Sequence, residues 1–219
     1  SPGLVLGQVS RLEHHVETYG GGGPFNPERE LQQLEDAIRT AQKELDGMGQ
    51  RAAATEQAIF QFQSMMLEDE GFMTEVRSYI NAGINAAAAM NRVGQRYADQ
   101  LANMRDNPYM QLRSVDILDA TRRVLNILSN RPRVWLVLDH PVILAADRLM
   151  PSDLFSVPSG MILGIITSEG SGQSHAAIIA RAMNIPSIVQ VGHDFLDDCD
   201  GRTVILDAAR GECMLDPDA

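Results

Sequence analysis

The stretch MILGIITSEGSGQSHAAIIARAMNIPSIVQVG, residues 161–192, changes its pattern along its length and so fixes the class of fold. MILGIIT is a short β-branched and aliphatic run, the signature of a buried strand. It gives way to a turn with glycines at 170 and 172 and serines at 168, 171 and 174. A helical stretch follows, roughly Ala176–Asn184, and then SIVQV, a second strand. The unit is strand, loop, helix, strand. Outward from it the same short runs recur, as VWLVL (134–138), VILAAD (142–147), TVILDA (203–208) and ECMLD (212–216), parted by proline, glycine and aspartate. Everything from Arg133 onward is therefore expected to build a sheet.

Upstream the period changes. Asn26 is a good N-cap with Pro27 at the first helical position, followed by Leu31, Leu34, Ile38, Ala41, Leu45 and Met48 at steps of three and four. Residues 51–70 continue with Ala54, Ala58, Ile59, Phe62, Met65 and Met66, and 86–105 with Ala89, Met90, Val93, Tyr97, Leu101 and Met104. Residues 114–130 add Val115, Leu118, Thr121, Val124, Leu125 and Leu128. Four or five amphipathic helices, with short linkers at Asp69–Phe72 and Asp106–Tyr109, can bury their stripes only against one another. At the start, SPGLVLGQVSRLEH holds one alternating strand, closed off by the glycines of TYGGGGPFN (18–26). A lone strand needs a sheet to join. The expected architecture is an α/β domain formed by residues 1–24 and 133–219, with an all-α helical bundle of residues 25–132 inserted between them.

Composition narrows the function classes. Eighteen basic against 29 acidic residues give a net charge of −11, which disfavours nucleic acid as a partner and favours a basic protein surface. No apolar run reaches membrane-spanning length and no charged-then-apolar leader opens the sequence, so a cytoplasmic location and no membrane partner are expected. Cys199 and Cys213 lack metal-like spacing and are expected to be packing residues. His14, His15, His140 and His193 lack a second ligand at helical or strand spacing and are expected on the surface, with no metal site. Asp197, Asp198 and Asp200 lack the glycine and terminal glutamate of a calcium loop and suit a solvated turn, while Trp135 suits the core.

The chemistry concentrates at His175. A flexible turn ending where a helix begins places this imidazole at the helix amino terminus, where backbone N–H groups and the positive end of the helix dipole favour a dianion. Imidazole is also a competent nucleophile near neutral pH, and a phosphoramidate on it stays energetic enough to pass on. Ala176, Ala177 and Ala180 keep that helix slim enough for a reaction partner to approach.

The segment GSGQSHAAIIARAMNIPSIVQVG resembles the phosphohistidine signature of the PEP-utilising enzymes, among them Enzyme I of the bacterial sugar phosphotransferase system and pyruvate phosphate dikinase. Ser174, His175, Ala180, Arg181, Pro186 and Val189 fall on its pattern. SPGLVLG, MMLEDEGF and VILAADRLMPSDL resemble further Enzyme I segments, so the likeness runs along nearly the whole chain. It implies a swivelling-type phosphohistidine domain whose inserted helical subdomain docks the phosphocarrier HPr. Carried over by position, it implies phosphorylation of His175 on Nε2, with Ser174 and the loop residues Gly170, Ser171, Gly172 and Gln173 holding the phosphoryl group. It also implies that Arg181 supports the fold or a partner contact. The docking segment would include Gln61, Gln63, Met66, Glu68, Asp69 and Glu70.

The resemblance has departures. The family loop commonly reads Gly-Gly-Arg-Thr-Ser-His, so Gly172 and Gln173 replace a basic residue and a hydroxyl. Leu154 falls where a threonine usually helps hold the imidazole. Gln61, Gln63 and Gly71 occupy acidic and histidine positions of the docking segment. The barrel that binds PEP and Mg2+ has no counterpart up to Ala219, so this part is expected to need no cofactor of its own and to exchange phosphate with an HPr-like carrier and with a PEP-binding barrel in cis or in trans. A regulatory or interaction module that keeps the fold with weak or no transfer is the alternative these departures raise.

Overall fold

The structure, a computed structural model, describes residues 1–12, 25–52, 54–130 and 138–217. Its contacts divide the chain into two compact units, Ser1–His15 with Val134–Ala219, and Val16–Arg133. The expected VWLVL strand with Trp135 (except Leu138), the glycine loop, and His14 and His15 lie outside the described residues.

The first unit holds a six-stranded sheet. Its strands are β1 (Leu4–Leu12), β2 (Val142–Ala146), β3 (Ile162–Thr167), β4 (Ser187–Val189), β5 (Thr203–Asp207) and β6 (Glu212–Leu215), in the order β4-β3-β2-β1-β5-β6. The lone early strand has become central. β1 pairs in parallel with β2, through Val9 opposite Ile143, and antiparallel with β5, through Gly7 opposite Val204. β2 to β4 are parallel to one another, and β5 with β6 is antiparallel. Every residue of β2 is buried, as a strand covered on both faces requires. One face packs Val9, Ile143, Ala145, Ile166, Val204 and Leu206 against Leu196 and Cys199, with Cys213 at the margin. Cys213 is pushed up to about 11, first by burial. Both cysteines pack as expected. On the other face, strand alternation sets Leu4, Leu6 and Met214 outward, and all three are exposed.

Among the described residues of this unit there are three helices: α6 (Pro151–Phe155), α7 (His175–Ala182) and α8 (His193–Cys199). α7 starts one residue earlier than expected. Neither α6 nor α8 is expected from periodicity, since each is too short to display it. The acidic cluster is solvated as expected but is helical where a turn is expected: Asp197 and Asp198 lie in α8, Asp197 pairs with Arg11 at 2.5 Å, and Asp200 accepts from the Arg11 amide at 2.9 Å.

The second unit contains α1 (Pro27–Arg51), α2 (Ala54–Glu68), α3 (Glu70–Asn81), α4 (Ala86–Ala102) and α5 (Pro108–Leu128), which pack on one another. Asn26, Asp69, Asn85 and Asn107 each cap the following helix through a side-chain oxygen. The expected linker at Asp69–Phe72 shrinks to Asp69 alone, because that carboxylate takes the Phe72 amide at 2.7 Å and starts α3 at once.

The buried face of α2 also differs from expectation. Ala54, Ala58 and Met65 are exposed, while Ile59, Phe60, Gln63, Met66 and Leu67 are buried. An apolar-only pattern passes over Gln63, which is fully buried because its amide donates to Asp119 of α5 at 3.1 Å. α5 likewise turns polar residues inward. Arg113 is buried in a 3.0 Å pair with Asp116, and its guanidinium lies 4.5 Å from the Phe62 ring centre and 4.8 Å from that of Tyr109. Phe72 is fully buried, edge-on to Tyr97 at 5.0 Å.

Candidate functional site

The four parallel strands end on the same edge of the sheet, and the loop carrying His175 leaves β3 there. The carboxyl end of parallel strands is where open α/β sheets commonly hold ligands. At the loop entry, the Thr167 hydroxyl donates to the Glu169 carbonyl at 2.8 Å and the Ser168 hydroxyl to the Asp147 carboxylate at 2.8 Å. The Glu169 amide donates to the Asp147 carbonyl at 2.8 Å, and the Glu169 carboxylate pairs with Arg148 at 2.7 Å.

Gly170 has φ +97°, a left-handed conformation that costs glycine little, and this turns the chain away from the strand. Two side chains then hold the loop tip by its carbonyls. Gln190 Nε2 donates to Gly170 O at 2.9 Å, and Arg181, one helical turn and more past His175, donates to Gly172 O at 2.5 Å. Arg181 therefore supports the loop. The Ser171 hydroxyl accepts from the Gln173 amide at 3.2 Å, and the Ser171 carbonyl accepts from the Ser174 amide at 3.1 Å.

Ser174 is the N-cap of α7, its hydroxyl accepting from the Ala177 amide at 3.2 Å. His175 is thus the first helical residue, half-buried, while Ser171, Gly172 and Gln173 are exposed. The arrangement sets a half-buried histidine beside a helix start and a hydroxyl, with the rest of α7 anchored through buried Ala176, Ala177, Ile179 and Ala180. Leu154 is fully buried in α6, which packs on α7, and as a leucine it has no hydrogen bond to offer the imidazole.

The docking residues expected in the second unit do not share one surface. Gln61, Glu68, Asp69 and Glu70 are exposed. Gln63 and Met66 are buried and unable to meet a partner, because Gln63 serves Asp119 and Met66 faces the helical core; the exposed methionine is Met65. The acidic residues also serve locally: Glu68 accepts from Gln42 at 2.9 Å, Asp69 caps α3, and Glu70 pairs with Arg77 at 3.2 Å.

One constellation escapes sequence reasoning. Asp147, just past β2, accepts on one oxygen from Ser168 at 2.8 Å and contacts His193 Nδ1 at 2.9 Å on the same oxygen, while Arg11 stands 3.7 Å from the other. Ser168 thus donates to a carboxylate, not to an imidazole, which is not the order of a serine nucleophile with its base. The available signal is only that polar residues gather where parallel strands end. The Ser168 bond first, then His193 and the Arg11 charge, hold the Asp147 carboxyl below the usual carboxylate range. A depressed folded value stabilises above the unfolded pKa of about 3.9 and loses that contribution as pH falls through the folded value. The stability difference between the native protein and Asp147→Asn is therefore expected to be constant above about pH 5 and to shrink steadily in more acid solution. Urea midpoints across that range measure it; a difference that grows on acidification contradicts the assignment. Among the described residues, no group of three or more His, Cys, Asp and Glu side chains is placed to hold a metal, and no helix is long and apolar enough to cross a membrane.

Residues 1–113 match the family model described as PEP-utilising enzyme, N-terminal, and residues 138–211 match that of the PEP-utilising enzyme mobile domain. The chain is 30% identical over 223 residues to the phosphoenolpyruvate-protein phosphotransferase of Priestia megaterium, covering 99% of this chain and 39% of that protein. It is 33% identical over 221 residues to the multiphosphoryl transfer protein of Rhodobacter capsulatus, covering 99% and 27%. The chain thus spans well under half the length of these relatives. Among solved structures, an NMR structure of Enzyme I matches with TM-score 0.69 at 25% identity, covering 100% of this chain and 91% of that one. A structure described as the N-terminal domain of Enzyme 1 - Nitrogen matches with TM-score 0.67 at 27% identity, covering 100% and 92%.

Proposed function

The chain belongs to the PEP-utilising enzymes, and on that premise we propose that it is a phosphoryl relay in which His175 carries the phosphoryl group between a PEP-binding barrel and an HPr-like phosphocarrier. The observation that carries the reading is the placement of His175 as first residue of a serine-capped helix, at the end of a glycine loop held by its own carbonyls. In the transfer, the lone pair of neutral Nε2 attacks phosphorus. The bond from phosphorus to the donor, an imidazole nitrogen of the carrier or the enol oxygen of PEP, breaks with its electron pair leaving on the donor. The imidazole proton stays on Nδ1. Ser174, whose oxygen already takes the Ala177 amide, can donate its O–H to a phosphoryl oxygen, and the helix dipole favours the dianion.

The barrel and its Mg2+ act outside the residues present, and the helical unit docks the carrier through the exposed members of its docking segment, Gln61, Glu68, Asp69 and Glu70, joined by Met65. A cytoplasmic carrier system is the setting of this reading. The burial of apolar Leu154, where the resemblance implies a threonine, favours as second reading a regulatory module that binds its partner without transfer.

The test is incubation with radiolabelled phospho-HPr and, separately, with PEP, Mg2+ and a barrel-bearing Enzyme I. Acid-labile, base-stable label mapping to the peptide of His175 is the expected result. Label on His140 or His193 in place of His175 overturns the assignment of the phosphoacceptor, and carrier binding with no label at all overturns the relay in favour of the second reading.

A further inference from the structure

We propose that Asp147 is a positioning residue for the phosphoacceptor loop, acting through Ser168; the inference rests on the assignment of His175 as phosphoacceptor. The loop is fixed by hydrogen bonds and ion pairs: at its tip by Gln190 and Arg181, at its entry by Thr167, by the Glu169–Arg148 pair and by Asp147. A Cβ added at Gly170 or at Gly172 would meet nothing within 4 Å, so the tip is not held by packing and its course depends on polar contacts. Asp147 grips the loop root twice, its carbonyl taking the Glu169 amide at 2.8 Å and its carboxylate the Ser168 hydroxyl at 2.8 Å. It is itself braced by His193 at 2.9 Å on α8 and by Arg11, 3.7 Å away on β1. Two elements outside the loop, α8 and β1, thus converge on one carboxylate at its origin. The side chain is half exposed, so removing it opens no core cavity, and its contribution falls on the geometry of the loop more than on the stability of the fold. Geometry is what transfer depends on, since a displacement of about 1 Å at a reacting group can cost on the order of a hundredfold in rate.

The experiment uses the full chain and potassium phosphoramidate, a donor that needs no partner protein. Its P–N bond breaks as the His175 Nε2–P bond forms, and ammonia leaves with the electron pair of the broken bond. At a temperature well below the thermal midpoint, Asp147→Ala is expected to label His175 roughly tenfold more slowly. Asp147→Asn, which keeps an acceptor for Ser168, is expected to stay within about twofold of the native rate. The exchanged pair Asp147→Ser with Ser168→Asp re-forms the same bond with its ends reversed, and is expected to recover most of the rate. A merely structural role predicts no such recovery. In parallel, hydrogen exchange of the loop amides 168–174 in unphosphorylated protein is expected to quicken in Asp147→Ala and return in the exchanged pair. Native labelling together with native exchange in Asp147→Ala overturns the proposal, as does failure of the exchanged pair to recover either readout. Should the native chain take no phosphate on His175, the phosphoacceptor assignment fails by itself, and the exchange measurement still decides whether Asp147 orders the loop.

Discussion

Replacing His175 with alanine is expected to reduce acid-labile phosphorylation of the chain to background while leaving its fold intact. The first half follows from chemistry. If Nε2 supplies the lone pair that bonds phosphorus, no neighbouring group substitutes for it, because serine or threonine esters would be acid-stable and would not register as the same species. The second half follows from place. His175 is the first residue of α7, half-buried, and its neighbours Ala176, Ala177, Ile179 and Ala180 make the core contacts of the helix. Alanine is the strongest helix former, and surface changes of this kind usually move stability by no more than about 0.5 kcal/mol. The thermal midpoint of the variant is thus expected within a few degrees of the native one. Ser174→Ala is the informative companion: losing the cap costs about 1 kcal/mol, while label still reaches His175, more slowly. Equal labelling of His175→Ala and native protein ends the phosphoacceptor reading, and a cooperative loss of folding in the variant would show that the imidazole is structural.

The second large effect lies in the helical unit, and its sign opposes helix propensity. Gly94 sits buried inside α4, against Thr121 of α5. Propensity alone predicts that Gly94→Ala stabilises by about 0.8–1 kcal/mol. A Cβ at this position would stand 2.2 Å from Thr121 Oγ1, 2.6 Å from its Cγ2 and 2.9 Å from its Cβ. Rotating the threonine cannot relieve the last of these contacts, since Cβ does not move with χ1. The two helices must separate. Overpacking of a close-packed core costs typically about 1–3 kcal/mol, which outweighs the propensity gain. Gly94→Ala is therefore expected to lower the urea midpoint. Thr121→Ala in the same chain should recover part of the loss by removing Oγ1 and Cγ2 while leaving Cβ in place. A variant more stable than the native protein would mean that the helices are not this close.

Much of the secondary structure was legible because it obeys short-range rules. Asn26 before Pro27, and the three- and four-residue apolar steps after it, specify α1; β-branched runs between prolines and glycines specify the strands. His175 was legible for the same reason, since the glycine and serine turn, the Ser174 cap and the helix start lie within a few positions of one another. Reasoning failed where an apolar pattern stood in for burial. Gln63 and Asp119 belong to the interior of the helical unit although neither is apolar, the Gln63 amide donating to the Asp119 carboxylate across 56 positions of sequence. That pairing withdrew Gln63 from the expected docking surface, and the phase of α2 that buries it withdrew Met66 and turned Met65 outward.

The sequence by itself determined the strands flanking His175, the long helices of the second unit, the cap and start of α1, and the local setting of His175, all of which depend on backbone preferences and side chains a few residues apart. Only the tertiary structure decided that β1 lies between β2 and β5, which polar groups are buried, and what holds the His175 loop at its root. The physical reason is that hydrogen bonds and ion pairs are satisfied by proximity in space. Ser168 finds Asp147 across 21 positions, His193 finds it across 46, and Arg11 reaches Asp197 across 186, and no local pattern announces any of these partners. The setting of His175 is thus written in neighbouring residues, while its support at Asp147 exists only once the sheet has brought the ends of β1, β2 and β3 together.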